Sequence, residues 1–192
     1  MKQKSLILLF SIFSIILFLI PLQGCIDQNN SNHSDPTLVT VSLKTLVLKL
    51  DELPENVIIL DEFYNDTETN EPWPNVTAIC TEKFTVDYHI NDTNLSYFLL
   101  LELRKIESTK ATEESFNAQE SILLDTPIEI IPVEKIGDEA ILGKIETMYH
   151  LIFRKYNVIT VITSAVDSGL EEEDIIDYAK IIENNIESSI ES

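Results

Sequence analysis

Glycine is scarce, with four in 192 residues, and none sits where a Gly-x-Ser-x-Gly elbow or a phosphate-cradling loop needs it. A serine-hydrolase nucleophile and a Walker-type nucleotide site therefore have no support. Basic residues are scarce too: 13 Lys and Arg stand against 33 Asp and Glu, a net charge of −20. A polyanion of that size repels phosphate backbones, and no stripe of Lys or Arg offsets it locally, which argues against a nucleic-acid partner. Cations or basic surfaces fit better, although scattered carboxylates also serve simply as a solubility device. Cysteine occurs twice, at Cys25 and Cys80, without Cys-x-x-Cys spacing. His33, His89 and His150 show no His-x-x-His or Glu-x-x-His pattern, so neither a metal nor another cofactor is expected.

What the chain does have begins at its amino terminus. Lys2 and Lys4 precede an almost unbroken run of Leu, Ile, Phe and Ser from Ser5 to Ile20. This has the form of a signal peptide: the run is shorter than the ~20 residues a bilayer span requires, and Pro21 ends it. Leu22-Gln23-Gly24-Cys25 follows at once and resembles the lipobox of prokaryotic lipoproteins. That resemblance implies a diacylglyceryl group on the Cys25 thiol and cleavage just before it. Two acyl chains give lasting attachment where one would be marginal. The expected organisation is a signal peptide over 1–24, lipidated Cys25 and a flexible polar tether over 25–37, and one α+β domain over 38–192. Processing removes two lysines and leaves a net charge of −22. Cys80 is then alone and is expected as a buried thiol.

Within the domain, Leu43, Leu46, Val47 and Leu50 fit a short helix with Ser42 as its cap, although Leu46, Leu48 and Leu50 also alternate as in a strand. Val57 to Leu60 is expected as a short strand, and Asn65 to Asn75, with Pro72-Trp73-Pro74, as a loop. Phe84, Val86, Tyr88 and Ile90 alternate with Thr85, Asp87 and His89, the pattern of a half-buried strand. A turn over Asn91 to Asn94 leads to a strand from Ser96 to Ile106, apolar enough for the middle of a sheet. Thr109 is expected to cap a helix over 110–124 that buries Ala111, Ser115, Ala118 and Ile122. Strands are expected at 129–133 and 140–145, then a hairpin of 148–154 and 158–165 turning at Lys155-Tyr156-Asn157. Last comes a helix with a Ser168/Glu171 capping box, acidic residues in its first turn and an apolar stripe of Ile175, Ala179, Ile182, Ile186 and Ile190. Such an order predicts an antiparallel sheet flanked by helices.

Three strings carry a further likeness: Leu50-Asp51-Glu52-Leu53-Pro54, Ile136-Gly137-Asp138-Glu139-Ala140, and Phe153-Arg154-Lys155-Tyr156-Asn157-Val158-Ile159. Asp177-Tyr178-Ala179-Lys180 adds to them. Together they resemble the PsbP-type α/β/α sandwich domains of small bacterial and archaeal lipoproteins, named for an extrinsic protein of photosystem II. Glu55 stands where a Leu-Pro-Gly pattern would have its glycine. The resemblance implies the fold and a non-enzymatic surface role, and transfers no catalytic residue.

Acidic residues recur at Asp61, Glu62, Asp66, Glu68 and Glu71, but without the ligand order of a calcium loop they are expected as a solvated acidic segment. Gly137-Asp138-Glu139-Ala140 reads as a turn into a strand. Asn32, Asn65, Asn75, Asn91 and Asn94 each begin an Asn-x-Ser/Thr string and are candidate glycosylation sites, meaningful in an exported archaeal protein and coincidental in most bacterial ones. The resulting expectation is a membrane-anchored, non-catalytic surface lipoprotein with a binding or assembly role. The alternative is a ligand-sensing or solute-binding module, its pocket lying between sheet and helix. A groove lined by Tyr88, Tyr97 and Tyr149 would favour the alternative, and a filled sheet the first reading.

Overall fold

Alternation in Phe84–His89 is the plainest case of sequence setting local structure: Phe84, Val86 and Tyr88 are buried, while Thr85, Asp87 and His89 are half-buried on the other face. A strand points successive side chains to opposite faces, so such a pattern settles both the element and its orientation. The computed structural model describes residues 38–55, 57–73, 75–90, 98–165 and 169–191. The expected signal peptide, Cys25, the tether, Asn32, Asn91, Asn94, Tyr97 and Ser168 lie outside them.

The strands are β1 (Val57–Asn65), β2 (Thr69–Asn70), β3 (Ile79–Ile90), β4 (Phe98–Ile106), β5 (Glu129–Ile131), β6 (Glu139–Ile145), β7 (Met148–Lys155) and β8 (Val158–Ala165). Helix α1 (Thr109–Leu124) follows β4, and α2 (Glu172–Glu191) follows β8. All strands join one antiparallel sheet in the order β1-β3-β4-β8-β7-β6-β5, with β2 beside β3 where β1 ends. The fold is thus α+β. Two separate apolar clusters lie on its two faces. One holds Phe84, Val86, Tyr88, Leu101, Leu103, Leu151 and Phe153 beneath the α2 residues Ile175, Ala179, Ile182 and Ile186. The other holds Ile141, Ile152 and Ile159 beneath Ala111, Phe116 and Leu123 of α1. Each face therefore carries one helix.

Several expectations need correction. Residues 43–52 form no α-helix but two 3-10 turns, Leu43–Thr45 and Leu50–Glu52. Leu43, Leu46 and Leu48 are buried in the core beneath α2 while Leu50 is 50% exposed, because the segment packs over β3 and β4 in irregular turns rather than presenting one helical face. β1 runs on to Asn65, and the segment expected as loop contains β2, since pairing with the long β3 outweighs local polarity. Ser108, not Thr109, caps α1, its hydroxyl accepting from the Ala111 N–H at 3.1 Å. The buried face of α1 is Ala111, Thr112, Ser115, Phe116, Gln119 and Leu123, whereas Ile122 is exposed. At α2 the Glu171 N–H is capped by Asp174 (2.8 Å). The stripe of α2 lies as expected, with Ile175, Ala179, Ile182 and Ile186 buried and Ile190 packed beside them.

Two strings noted in the sequence meet in space. Gly137 has φ +63°, and a Cβ there would stand 2.3 Å from the Arg154 carbonyl oxygen, so the close approach requires glycine. The Asp138 N–H donates to that oxygen (2.8 Å), the Asp138 carboxylate accepts from the Tyr156 N–H (3.0 Å), and Glu139 accepts from Arg154 Nε (2.7 Å). Gly137-Asp138-Glu139 is therefore a structural clamp on the end of the β7–β8 hairpin. Asn157, buried in its turn, accepts from the Val39 N–H (2.7 Å) and donates to the Ile106 carbonyl (3.1 Å), tying the start of the domain to β4 and β8.

Candidate functional site: the polar sheet face beside the first helix

Helix α1 packs against β4, β7 and β8 but is too short to cover the face on which it lies. The remainder of that face is a half-open surface of mixed polarity. Register places Asp61, Asp87, Leu100, Thr163, His150 and Gly143 in one row across β1, β3, β4, β8, β7 and β6. Phe63, Thr85, Glu102 and Val161 form the next row. On β3, β4, β7 and β8 these residues lie where they do because their strand neighbours point into the opposite core.

Electrostatics differ along the surface. The Asp87 carboxylate lies 3.0 Å from His89 Nε2. Desolvation raises the Asp87 pKa above the ordinary carboxylate range, and the nearby charge of Asp61 adds to it, while His89 opposes. Lys83 and Glu102 pair at 2.7 Å. Farther along, His150 Nδ1 lies 2.9 Å from Thr163 Oγ1. Burial pushes the His150 imidazole down to about 4, with Glu102 pulling the other way, so it is neutral at pH 7. Part of the residue still reaches solvent. His89 and His150 share this face, yet β4 and β8 separate their strands, which puts them at least about 14 Å apart at ~4.8 Å per strand. They cannot share a metal ion. Among the described residues no three His, Cys, Asp or Glu side chains are grouped to hold one.

Where this surface passes under α1 it ends in a buried ionic cluster. Glu71 Oε2 accepts from Arg104 Nη1 (2.5 Å), Ser115 Oγ (2.5 Å) and Trp73 Nε1 (2.9 Å). Arg104 Nη2 donates to Gln119 Oε1, and Arg104 Nε lies 3.2 Å from Glu102 Oε1, in ion-pair range but without hydrogen-bond alignment. The Trp73 ring covers the guanidinium, 5.5 Å from centroid to Cζ. A buried ion pair persists only when further hydrogen bonds satisfy its lone pairs, and these partners supply them. Glu71, expected as one of the solvated acids, is instead buried and pins the β2 segment to α1. The available signal was Arg104 itself, which alternates with Leu101 and Leu103 and so falls on the opposite face, where cover by α1 makes a carboxylate partner necessary. Glu62 is likewise paired, with Lys44 at 2.8 Å. The acidic segment is thus divided among a strand, a loop and the interior.

The remaining sites fall as follows. Asn65 ends β1 and its Oδ1 accepts from the Thr67 N–H (2.9 Å); Asn75 is exposed in a left-handed turn, φ 64°. Cys80 is a buried free thiol, its pKa raised to about 11 first by burial and then by Glu71. Tyr88 is wholly buried with its hydroxyl donating to the Leu48 carbonyl (2.7 Å), and Tyr149 is also in the core. Neither lines a groove. A shallow hollow does lie between the β5–β6 connection and α2, bounded by Val133, Glu134, Lys135 and Lys180.

The site and layers define a class, an antiparallel α+β sandwich with an uncovered polar strip. No protein-family model and no curated protein matches the chain. A solved structure with the same fold is the extracellular domain of PknH from Mycobacterium tuberculosis, at TM-score 0.55 and 8% identity, covering 76% of this chain and 94% of that one. No helix among the described residues is long and apolar enough to cross a membrane.

Proposed function

We propose that this protein is a membrane-anchored surface lipoprotein of the PsbP-type kind, whose domain has a non-catalytic binding or assembly role outside the cytoplasm. The filled core carries the reading: Tyr88 and Tyr149, two of the three tyrosines that would line a ligand groove, are packed inside, and the third, Tyr97, lies outside the described residues. What the domain offers a partner is its surface. The lipobox-like Leu22-Gln23-Gly24-Cys25 supports the anchor, and a helix on each sheet face, with the Gly137–Glu139 clamp on the β7–β8 hairpin, supports the PsbP-type likeness. That a protein of the same fold is an extracellular domain agrees with the location. Exposed Asn75 and Thr77 leave one Asn-x-Thr string accessible for glycosylation if the cell envelope supports it. The hollow at Val133, Lys135 and Lys180 favours a second reading, in which the domain senses a small ligand.

Metabolic lipid labelling of wild type and Cys25→Ser tests the anchor. Label is expected on the wild type and lost in the variant; equal labelling would reject the lipoprotein assignment. Crosslinking in intact cells before detergent extraction tests the role, with a discrete protein adduct expected. A small molecule copurifying without any adduct would favour the sensing module.

A further inference from the structure

β1 closes one end of the sheet, and among the described residues nothing pairs with its outer edge. An edge strand presents a row of unpaired N–H and C=O groups and is a template for a further strand. This one is also apolar. Nine large hydrophobic side chains are exposed among the described residues, and five lie on β1: Ile58, Ile59, Leu60, Phe63 and Tyr64, with Leu60 at 59% and Phe63 at 57%. A bulge between Ile59 and Asp61 interrupts the first half, whereas Asp61–Asn65 keeps unbroken register with Asp87–Lys83. The second half is therefore a regular template.

Charge selects the occupant. Asp61 is exposed at the start of that half, opposite Asp87, and its negative charge helps to raise the Asp87 carboxyl. Asp66 and Glu68 are exposed just beyond it. Lys44 is already paired with Glu62. A second copy of the chain would bring another net charge of −20 and a second Asp61 to the same edge. A cationic side chain on an added strand would instead sit about 5 Å from Asp61 on the same face, with an apolar one two residues on against Phe63.

We propose that the outer edge of β1 is a strand-addition site for an extended, cationic and apolar segment of a partner protein. This rests on the binding role proposed above and specifies its surface. The detergent-extracted protein is titrated with a nine-residue synthetic peptide centred on Ile-Thr-Lys-Thr-Ile and with the analogue carrying Glu for Lys. Binding is read by fluorescence anisotropy and located by amide hydrogen exchange. The Lys peptide is expected to bind about tenfold tighter and to slow exchange within Val57–Asn65. Asp61→Lys, which also gives up the hydrogen bond that Asp61 Oδ1 accepts from the Glu62 N–H (2.9 Å) and the repulsion between Asp61 and Asp87, should reverse the preference while the protein still melts cooperatively. Phe63→Ser should weaken both peptides. Equal binding of the two peptides, protection elsewhere, or slow exchange before peptide is added at those β1 amides that bond neither β3 nor, as Glu62 does, the Asp61 carboxylate would overturn the proposal. Cellular crosslinks mapping away from β1 would also overturn it while leaving the binding role standing.

Discussion

A carboxylate at 71 and an imidazole at 150 are both taken from water by the fold, with opposite outcomes. Glu71 is surrounded by donors and sits in an ion pair, whereas His150 has one hydroxyl beside it and is neutral. The consequence for His150 is a pH dependence of stability. The unfolded imidazole takes its proton near pH 6.5 and the folded one only near 4. Between those values the unfolded state holds the extra proton, so stability falls as pH is lowered through the window and levels off below it. Asp87 and Glu107, whose pKa values are raised mainly by desolvation, act in the opposite sense on acidification. Urea melts of wild type and His150→Gln from pH 7 to 4 separate these contributions. The wild type should lose stability faster by at most about 1.4 kcal/mol per pH unit, less to the extent that the ring reaches solvent. Parallel curves would show the imidazole titrating as it does in water.

At the scale of elements, α2 shows what helical periodicity can and cannot foretell. The stripe through Ile182 and Ile186 follows from 3.6 residues per turn, and both residues are fully buried. Replacing either with Asp puts a charge into the core and should cost several kcal/mol, a large part of the roughly 5–15 a domain possesses. Glu183 lies off that stripe, and from sequence its replacement by Lys looks neutral. The structure corrects that expectation: Lys155 Nζ is 3.2 Å from Glu183 and 2.6 Å from Glu187. Desolvation disfavours the Lys155 charge, but hydrogen bonds to Glu187 and Glu183 hold its pKa above the usual value. Glu183→Lys should therefore cost about 1 kcal/mol. Thermal melts are expected to rank wild type above Glu183→Lys, and both above Ile182→Asp and Ile186→Asp. A variant at 183 indistinguishable from wild type would mean that the pair across α2 and β7 contributes nothing.

Over the whole molecule, the net charge of −20 acts as a field rather than as a site. Asp61, Glu62 and Glu71 have separate environments, and Asp138 is engaged in the hairpin clamp. Screening of mutual repulsion should raise the melting temperature in salt, through ionic strength alone. Melts in millimolar CaCl₂ and in NaCl of equal ionic strength should therefore coincide. A calcium-specific, saturating rise that disappears in Asp61→Asn or Asp138→Asn would instead reveal a bound ion, since a ligand of the folded state adds RT ln(1 + [L]/Kd).

The sequence by itself determined the elements whose signal is local. Strand alternation in Phe84–Ile90, the apolar stripe of α2 and the β7–β8 hairpin each need only a few neighbouring residues to be expressed. It also determined the acidity of the surface and the glycine at 137, where a left-handed turn meets a carbonyl. Only the tertiary structure decided the length of β1, the burial of Glu71 and the face of α1. Each of these depends on a partner distant in the chain: β3 for β1, Arg104 for Glu71, and the apolar strip of β6–β8 for α1. Burial and pairing across such separations outweigh the propensities of a short polar segment. That is why a stretch reading as a solvated acidic loop contains both an exposed edge strand and an interior ion pair.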